Sequence, residues 1–127
     1  QQGFLLSCPE YTSSLTGVFK NTIDWISQQM EKTEPPYTGF AGKTCALMSA
    51  SPGGLGGLRG LVAARSLMGN MGMYVHPDQV CVSKANEAFT AEGKLKDAGL
   101  AKKLEQLCKG LVDMTASLEG ANPHPAL

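Results

Sequence analysis

The 127-residue sequence lacks several features that mark particular classes of protein. Its formal net charge is zero, with eleven basic and eleven acidic residues, whereas a nucleic-acid-binding surface normally carries a strong basic excess. No apolar run approaches the roughly 18 to 20 residues that cross a bilayer. We therefore expect no nucleic-acid partner and no transmembrane segment.

The start of the sequence carries neither an initiator methionine nor the pattern of a signal peptide. Gln1 and Gln2 lead directly into an apolar run. We expect either that residues were removed before Gln1 or that the true beginning lies upstream.

The four cysteines form no C-x-x-C pair. Cys8, Cys45 and Cys81 lie within apolar runs, and Cys108 lies on the apolar face of a predicted helix. Only two histidines are available to complete a metal site, and His124 is in a proline-rich tail. This pattern favours buried reduced thiols without a structural metal, in the cytoplasm or another reducing compartment such as an organelle lumen or stroma.

Short apolar runs alternate with stretches of helical periodicity. Strands are predicted at 3–8, 43–49 and 73–75, the last with a continuation over 79–82 beyond Pro77. Helices are predicted at 18–32, 58–68 and 97–118. This repeated order predicts an α/β fold, a parallel sheet with helices on its faces. We expect a single domain over residues 1–120 and a flexible tail at 121–127.

The first predicted strand raises a packing problem. A three-stranded parallel sheet is small, and parallel sheets are normally buried on both faces. The strand at 3–8 would leave an apolar edge open to solvent, which proteins usually cover. We therefore predict that a second copy of the chain or a partner subunit covers this edge.

Two loops at the carboxyl ends of the predicted strands are candidate ligand sites. The segments 9–17 and 50–57 are rich in glycine, serine, threonine and proline. They contain neither a G-x-G-x-x-G fingerprint nor a Walker A motif, and no G-x-S-x-G with a placed histidine indicates a hydrolase. Backbone amides in such loops, with Tyr11 able to cover a ring face, suit a flat heteroaromatic ligand with polar edges.

Both loops also carry a family resemblance. Residues 8–25, C-P-E-Y-T-S-S-L-T-G-V-F-K-N-T-I-D-W, closely resemble T-P-E-Y-N-x-S-x-P-G-x-L-K-N-A-I-D-W, a signature of the NADPH-dependent FMN reductase family. Residues 49–59, S-A-S-P-G-G-L-G-G-L-R, resemble the second flavin loop and following helix of that family. The resemblance runs from about Leu5 to Phe89 and implies a flavodoxin-like, three-layer α/β/α fold.

The resemblance implies an oxidoreductase that uses bound FMN to pass hydride from NAD(P)H to quinones, chromate, azo compounds or free flavin. FMN supplies that chemistry, so no catalytic acid–base pair is required. The cofactor-binding residues that the resemblance implies are Pro9, Glu10, Tyr11, Thr12, Ser51, Pro52 and Gly53. Members of the family are usually dimers or tetramers, which implies a homo-oligomer for this chain.

The sequence departs from the family pattern in two respects. The N-terminal strand and the phosphate-binding loop of the form G-S-x-R-x-x-S-x-N are absent, and Thr12 and Thr16 replace the usual asparagine and proline. Two functions therefore stay open, an FMN-dependent reductase and a truncated, non-catalytic flavodoxin-like module that serves as a structural or interaction subunit. An electron-transfer flavodoxin is the weaker third, because a net charge of zero supplies no steering field.

Overall fold

Strands and helices alternate along the chain. The computed structural model describes residues 2–119, and the tail predicted at 121–127 lies outside them. The elements in order are β1 (Gly3–Ser7), α1 (Gly17–Ile26), β2 (Thr44–Ala50), α2 (Leu58–Asn70), β3 (Tyr74–Val82), α3 (Ala85–Ala88) and α4 (Ala98–Glu119). Within residues 2–119, no helix combines the length and the apolar character that a membrane crossing needs.

The three strands form one parallel sheet in the order β1-β2-β3. β1 pairs with β2 from Gly3 opposite Thr44 to Ser7 opposite Met48. The central strand β2 is an almost continuous apolar run, and its Leu47 is fully buried. Such a run is what a parallel strand covered on both faces requires.

Helices cover both faces of the sheet. Successive side chains of β2 point to opposite faces, so neighbouring residues of this strand contact different helices. Cys45 packs with Ile23 of α1 and Met68 of α2 on one face. Ala46 packs with Leu107 of α4 on the other face. The predicted arrangement of a parallel sheet between helical layers is therefore confirmed.

The third strand is longer and more continuous than the sequence indicates. β3 runs unbroken through Pro77, and its pairing with β2 shifts register between Cys45 and Leu47. β3 lies at an edge of the sheet, where a residue without an amide hydrogen is tolerated, especially beside a bulge. Arg65 of α2 donates to the His76 carbonyl at 2.8 Å and so holds this irregular stretch in place.

Helix α1 ends earlier than the predicted residue 32, and α3 was not predicted at all. The carbonyl of Asp24 accepts hydrogen bonds from the side chains of Ser27 at 2.7 Å and Gln28 at 3.1 Å. These side chains compete with the continuing helix for the same carbonyl. Met30, which we placed on the apolar stripe of this helix, lies beyond it and is 88% exposed.

The outer edge of β1 pairs with no other strand of residues 2–119. Leu5 on this strand is 40% exposed. A groove of about 810 Å³ adjoins the strand's end, lined by Ser7 together with Met48 and Val82 of the sheet and Leu104 of α4. The open apolar edge is therefore present as predicted, and the partner that would cover it stays a prediction.

Candidate functional site

The candidate site lies at the carboxyl ends of β1 and β2. The Cys8 amide donates to the Met48 carbonyl at 2.9 Å, which extends the pairing of the two strands by one residue beyond Ser7. The loop from Pro9 onwards therefore leaves the sheet beside the last residues of β2. Pro9 itself is exposed.

Residues Tyr11 to Ser14 form a tight turn. The amide of Tyr11 donates to the Ser14 carbonyl at 3.2 Å, and the amide of Ser14 donates back at 3.1 Å. The central residues Thr12 and Ser13 have φ angles of +53° and +64°, the pattern of a type I′ turn. A β-branched residue is strained in this region, and strain of this kind clusters at functional sites.

This turn presents unused hydrogen-bond donors. Thr12 and Ser13 are both exposed residues, and neither of their backbone amides donates a hydrogen bond to any atom of residues 2–119. Tyr11 is 67% exposed. The loop thus offers amide donors beside an aromatic ring, as a planar ligand with polar edges requires.

The side chain of Glu10 is not available to a ligand. It is only 6% exposed, and its Oε1 accepts hydrogen bonds from Arg59 Nε at 3.0 Å and from the Gly60 amide at 3.2 Å. The N-cap of α2 is Gly57, which has no side chain to cap the helix. The Glu10 carboxylate replaces that cap and favourably places its charge at the helix N-terminus.

Gly60 allows this close approach between the first loop and α2. A Cβ built on Gly60 would lie 3.2 Å from the Glu10 Cβ and 3.3 Å from the Ser14 carbonyl oxygen. Any larger residue would therefore push the loop away from the helix. The local packing explains why a glycine stands in the first turn of α2.

The second loop is tied to the segment that follows β3. Ser51 donates its amide to the Val82 carbonyl at 3.0 Å and accepts a bond from the Ala85 amide at 3.0 Å. The Lys84 amide donates to the Gly53 carbonyl at 3.2 Å. A Cβ built on Gly54 meets no atom within 4 Å, so the tip of this loop faces open space.

The structure places the predicted site residues in two groups at one edge of the sheet. Pro9 to Thr12 follow β1, and Ser51, Pro52 and Gly53 follow β2. The first group carries amides without a partner in residues 2–119, and the second borders open space at Gly54.

The residue that sequence reasoning missed is Arg59. Arg59 lies in the second matching stretch of the sequence, residues 49–59. Its interaction with Glu10 spans 49 positions, so no local pattern could have revealed it.

Burial raises the pKa of Cys8 and Cys45 to about 11, which makes these thiols poor nucleophiles and fits the predicted structural role.

Comparisons with known proteins show which family the chain is similar to. A model of the NADPH-dependent FMN reductase family matches residues 1–87. An NAD(P)H-dependent FMN reductase of Pseudomonas aeruginosa is 34% identical over 119 residues, which cover 91% of this chain and 60% of that protein. An NAD(P)H:quinone oxidoreductase of Solanum tuberosum is 29% identical over 120 residues, which cover 92% and 58% respectively.

A solved structure is also similar. The flavoenzyme NAD(P)H:acceptor oxidoreductase FerB of Paracoccus denitrificans matches with a TM-score of 0.70 and 25% identity, over 89% of this chain and 60% of that chain. This likeness confirms the expected flavodoxin-like fold. The chain spans about three-fifths of the length of these relatives.

Proposed function

Because this chain belongs to the NADPH-dependent FMN reductase family, we propose that it binds the flavin ring of FMN and takes part in NAD(P)H-dependent reduction. The proposed acceptors are quinones, chromate, azo compounds or free flavin. The observation that carries the proposal is the pair of unengaged amides at Thr12 and Ser13, next to the loop that opens at Gly54.

The proposed ring-binding residues divide the task between them. The first loop donates hydrogen bonds through its backbone, since the Glu10 carboxylate is already bonded to α2. Tyr11 covers a ring face and excludes water from it. FMN, when bound, supplies the hydride chemistry, and the chain orients the ring. The full set is Pro9, Glu10, Tyr11, Thr12, Ser51, Pro52 and Gly53.

Two further features belong to the same proposal. Residues 1–120 belong to a single domain, in which the sheet of β1, β2 and β3 is the middle layer and helices form the two outer layers. The protein works in a reducing compartment, because its four cysteines are free and two of them are buried.

Flavin binding tests the proposal. We expect titration of the purified chain with FMN to quench flavin fluorescence, and Ser51→Trp to abolish binding by filling the space beside the second loop. Ser117→Trp, the same substitution at an exposed position on α4, is the matched control and should bind FMN like the wild type. Equal FMN affinities of the wild type and Ser51→Trp would contradict the assignment of this loop to flavin binding.

A second function, as a structural or interaction subunit, is favoured by the open edge of β1. Its exposed Leu5 and the adjoining apolar groove suit a covering strand and helix from a second copy or a partner subunit. Sedimentation of the isolated chain over a range of concentrations tests this function. Self-association that Leu5→Lys weakens would support it, and a soluble monomer at all concentrations would count against it.

A further inference from the structure

Within the described chain, the guanidinium of Arg59 is hydrogen-bonded through only one of its three nitrogens. Its Nε donates to the Glu10 Oε1 at 3.0 Å, whereas Nη1 and Nη2 have no partner within residues 2–119. The Arg59 side chain is 57% exposed, and that of Glu10 is 6% exposed. Because the guanidinium is planar and rigid, a fixed Nε restricts the direction in which the two Nη groups point.

This geometry differs from that of an ion pair built for stability. An arginine that stabilises a carboxylate most strongly uses two parallel N–H donors. Arg59 uses only Nε, and the Glu10 oxygen that it contacts is also bonded to the Gly60 amide. The Nη1 and Nη2 donors, a pair able to bind a phosphate or carboxylate, therefore stay unused by the described residues, and the side chain is more than half exposed.

The position of Arg59 indicates which anion it meets. Arg59 lies in the first turn of α2, whose N-terminus carries a partial positive charge. Glu10 links it to the first ring-binding loop, and α2 begins directly after the second. The proposed reaction involves three kinds of anion: the phosphate of FMN, chromate as one acceptor, and the phosphates of the reducing dinucleotide. Of these, the dinucleotide exchanges with solvent in every turnover, whichever acceptor is used, and this suits the exposed guanidinium of Arg59.

We propose that Arg59 binds a phosphate of NAD(P)H through Nη1 and Nη2, and that Glu10 is its positioning residue. This inference rests on the proposed function. The phosphate is either the pyrophosphate, which NADH and NADPH share, or the 2′-phosphate of NADPH. Both offer paired oxygens to a guanidinium.

Calorimetric titration with two redox-inert fragments, ADP-ribose and 2′-phospho-ADP-ribose, tests the inference in the FMN-loaded protein. We expect Arg59→Gln to weaken binding by about tenfold to a hundredfold, the loss expected for charge-assisted hydrogen bonds. Arg59→Lys keeps the charge but lacks the paired donors, so we expect nearly the same loss. Lys103→Gln, which removes one positive charge from the opposite face of the sheet, is the matched control and should bind normally.

The two fragments distinguish the sources of the phosphate. An equal loss for both supports the pyrophosphate, and a loss for the 2′-phosphorylated fragment alone supports the 2′-phosphate. Unchanged affinity in Arg59→Gln, or no binding of either fragment to the wild type, would overturn the inference. A loss of FMN affinity with normal fragment binding would also overturn it. The same titration of FMN-free protein separates the two proposals, because a wild type that binds the fragments but not FMN would leave the Arg59 site standing while the proposed function fails.

The positioning role of Glu10 has its own readout. Glu10→Gln retains an acceptor oxygen for Arg59 Nε and the Gly60 amide, whereas Glu10→Ala retains none. We expect Glu10→Ala to weaken fragment binding severalfold and Glu10→Gln to restore most of it. Equal affinities of the two variants, measured where both are fully folded, would contradict the positioning role.

Discussion

The Glu10 carboxylate accepts a hydrogen bond from the Gly60 amide at 3.2 Å across 50 positions of sequence. It thereby caps α2 from the loop that follows β1. The Glu10 side chain therefore connects the first candidate ring-binding loop directly to α2, the helix after the second loop. A change at either partner should affect both stability and ligand binding.

The cap makes a direct stability prediction. Glu10→Ala leaves the Gly60 amide and Arg59 Nε without their acceptor, so we expect the free energy of unfolding to fall by about 1–3 kcal/mol. Urea denaturation measures the difference. Glu31→Ala, at an exposed carboxylate without a side-chain partner in the described chain, is the control and should change stability by less than about 0.5 kcal/mol. Equal effects of the two substitutions would contradict the capping role.

The strained turn at Thr12 predicts a stabilising substitution. Asparagine tolerates positive φ much better than a β-branched residue, so we expect Thr12→Asn to raise the free energy of unfolding by about 0.5–1 kcal/mol. Thermal denaturation checks this. Thr33→Asn, at an exposed loop residue whose φ is not positive, controls for the change of side chain. The account of the strain fails if Thr12→Asn is no more stable than Thr33→Asn.

Thr16 caps α1, as its Oγ1 accepts a hydrogen bond from the Phe19 amide at 3.1 Å. We expect Thr16→Ala to lower the free energy of unfolding by about 1 kcal/mol and Thr16→Ser to retain most of the stability, because serine keeps the accepting oxygen. Chemical denaturation of the three proteins measures the difference. A serine variant as unstable as the alanine variant would show that the methyl group matters rather than the cap.

The buried thiols predict a loss of stability at alkaline pH. Burial raises the pKa of Cys8 and Cys45 from 9.0 to about 11, so folding favours their protonated forms. The contribution of the two thiols is fully present below pH 9 and is lost as the pH rises through about 11. We expect this decline, followed by urea denaturation between about pH 8 and 11, to be smaller in Cys8→Ala/Cys45→Ala. An unchanged slope in the double variant would contradict the assignment.

Local patterns predicted most of the fold. The apolar stripe of α4 placed that helix within one residue of its observed ends, and the β2 run placed the central strand. The end of α1 was wrong because side chains that bond the Asp24 carbonyl do not alter apolar periodicity. The Glu10–Arg59 contact was missed for a related reason, since only the folded chain brings those residues together.

The sequence predicted where the two loops lie in the fold but not their internal arrangement, and their role as a flavin site stays a prediction. The two loops at the strand ends followed from the α/β pattern and from the family resemblance. The use of Glu10 as a helix cap depends on how the first loop packs against Gly60. Such packing leaves no signal in a single sequence.

The central claim is that these loops bind a flavin ring. The most direct measurement is the visible absorption spectrum of the purified chain after incubation with FMN and gel filtration, together with its intact mass. We predict flavin bands near ~375 and ~450 nm that elute with the protein in equimolar amount, as expected for a bound oxidised flavin. A chain of the expected mass that elutes without either band would contradict the claim.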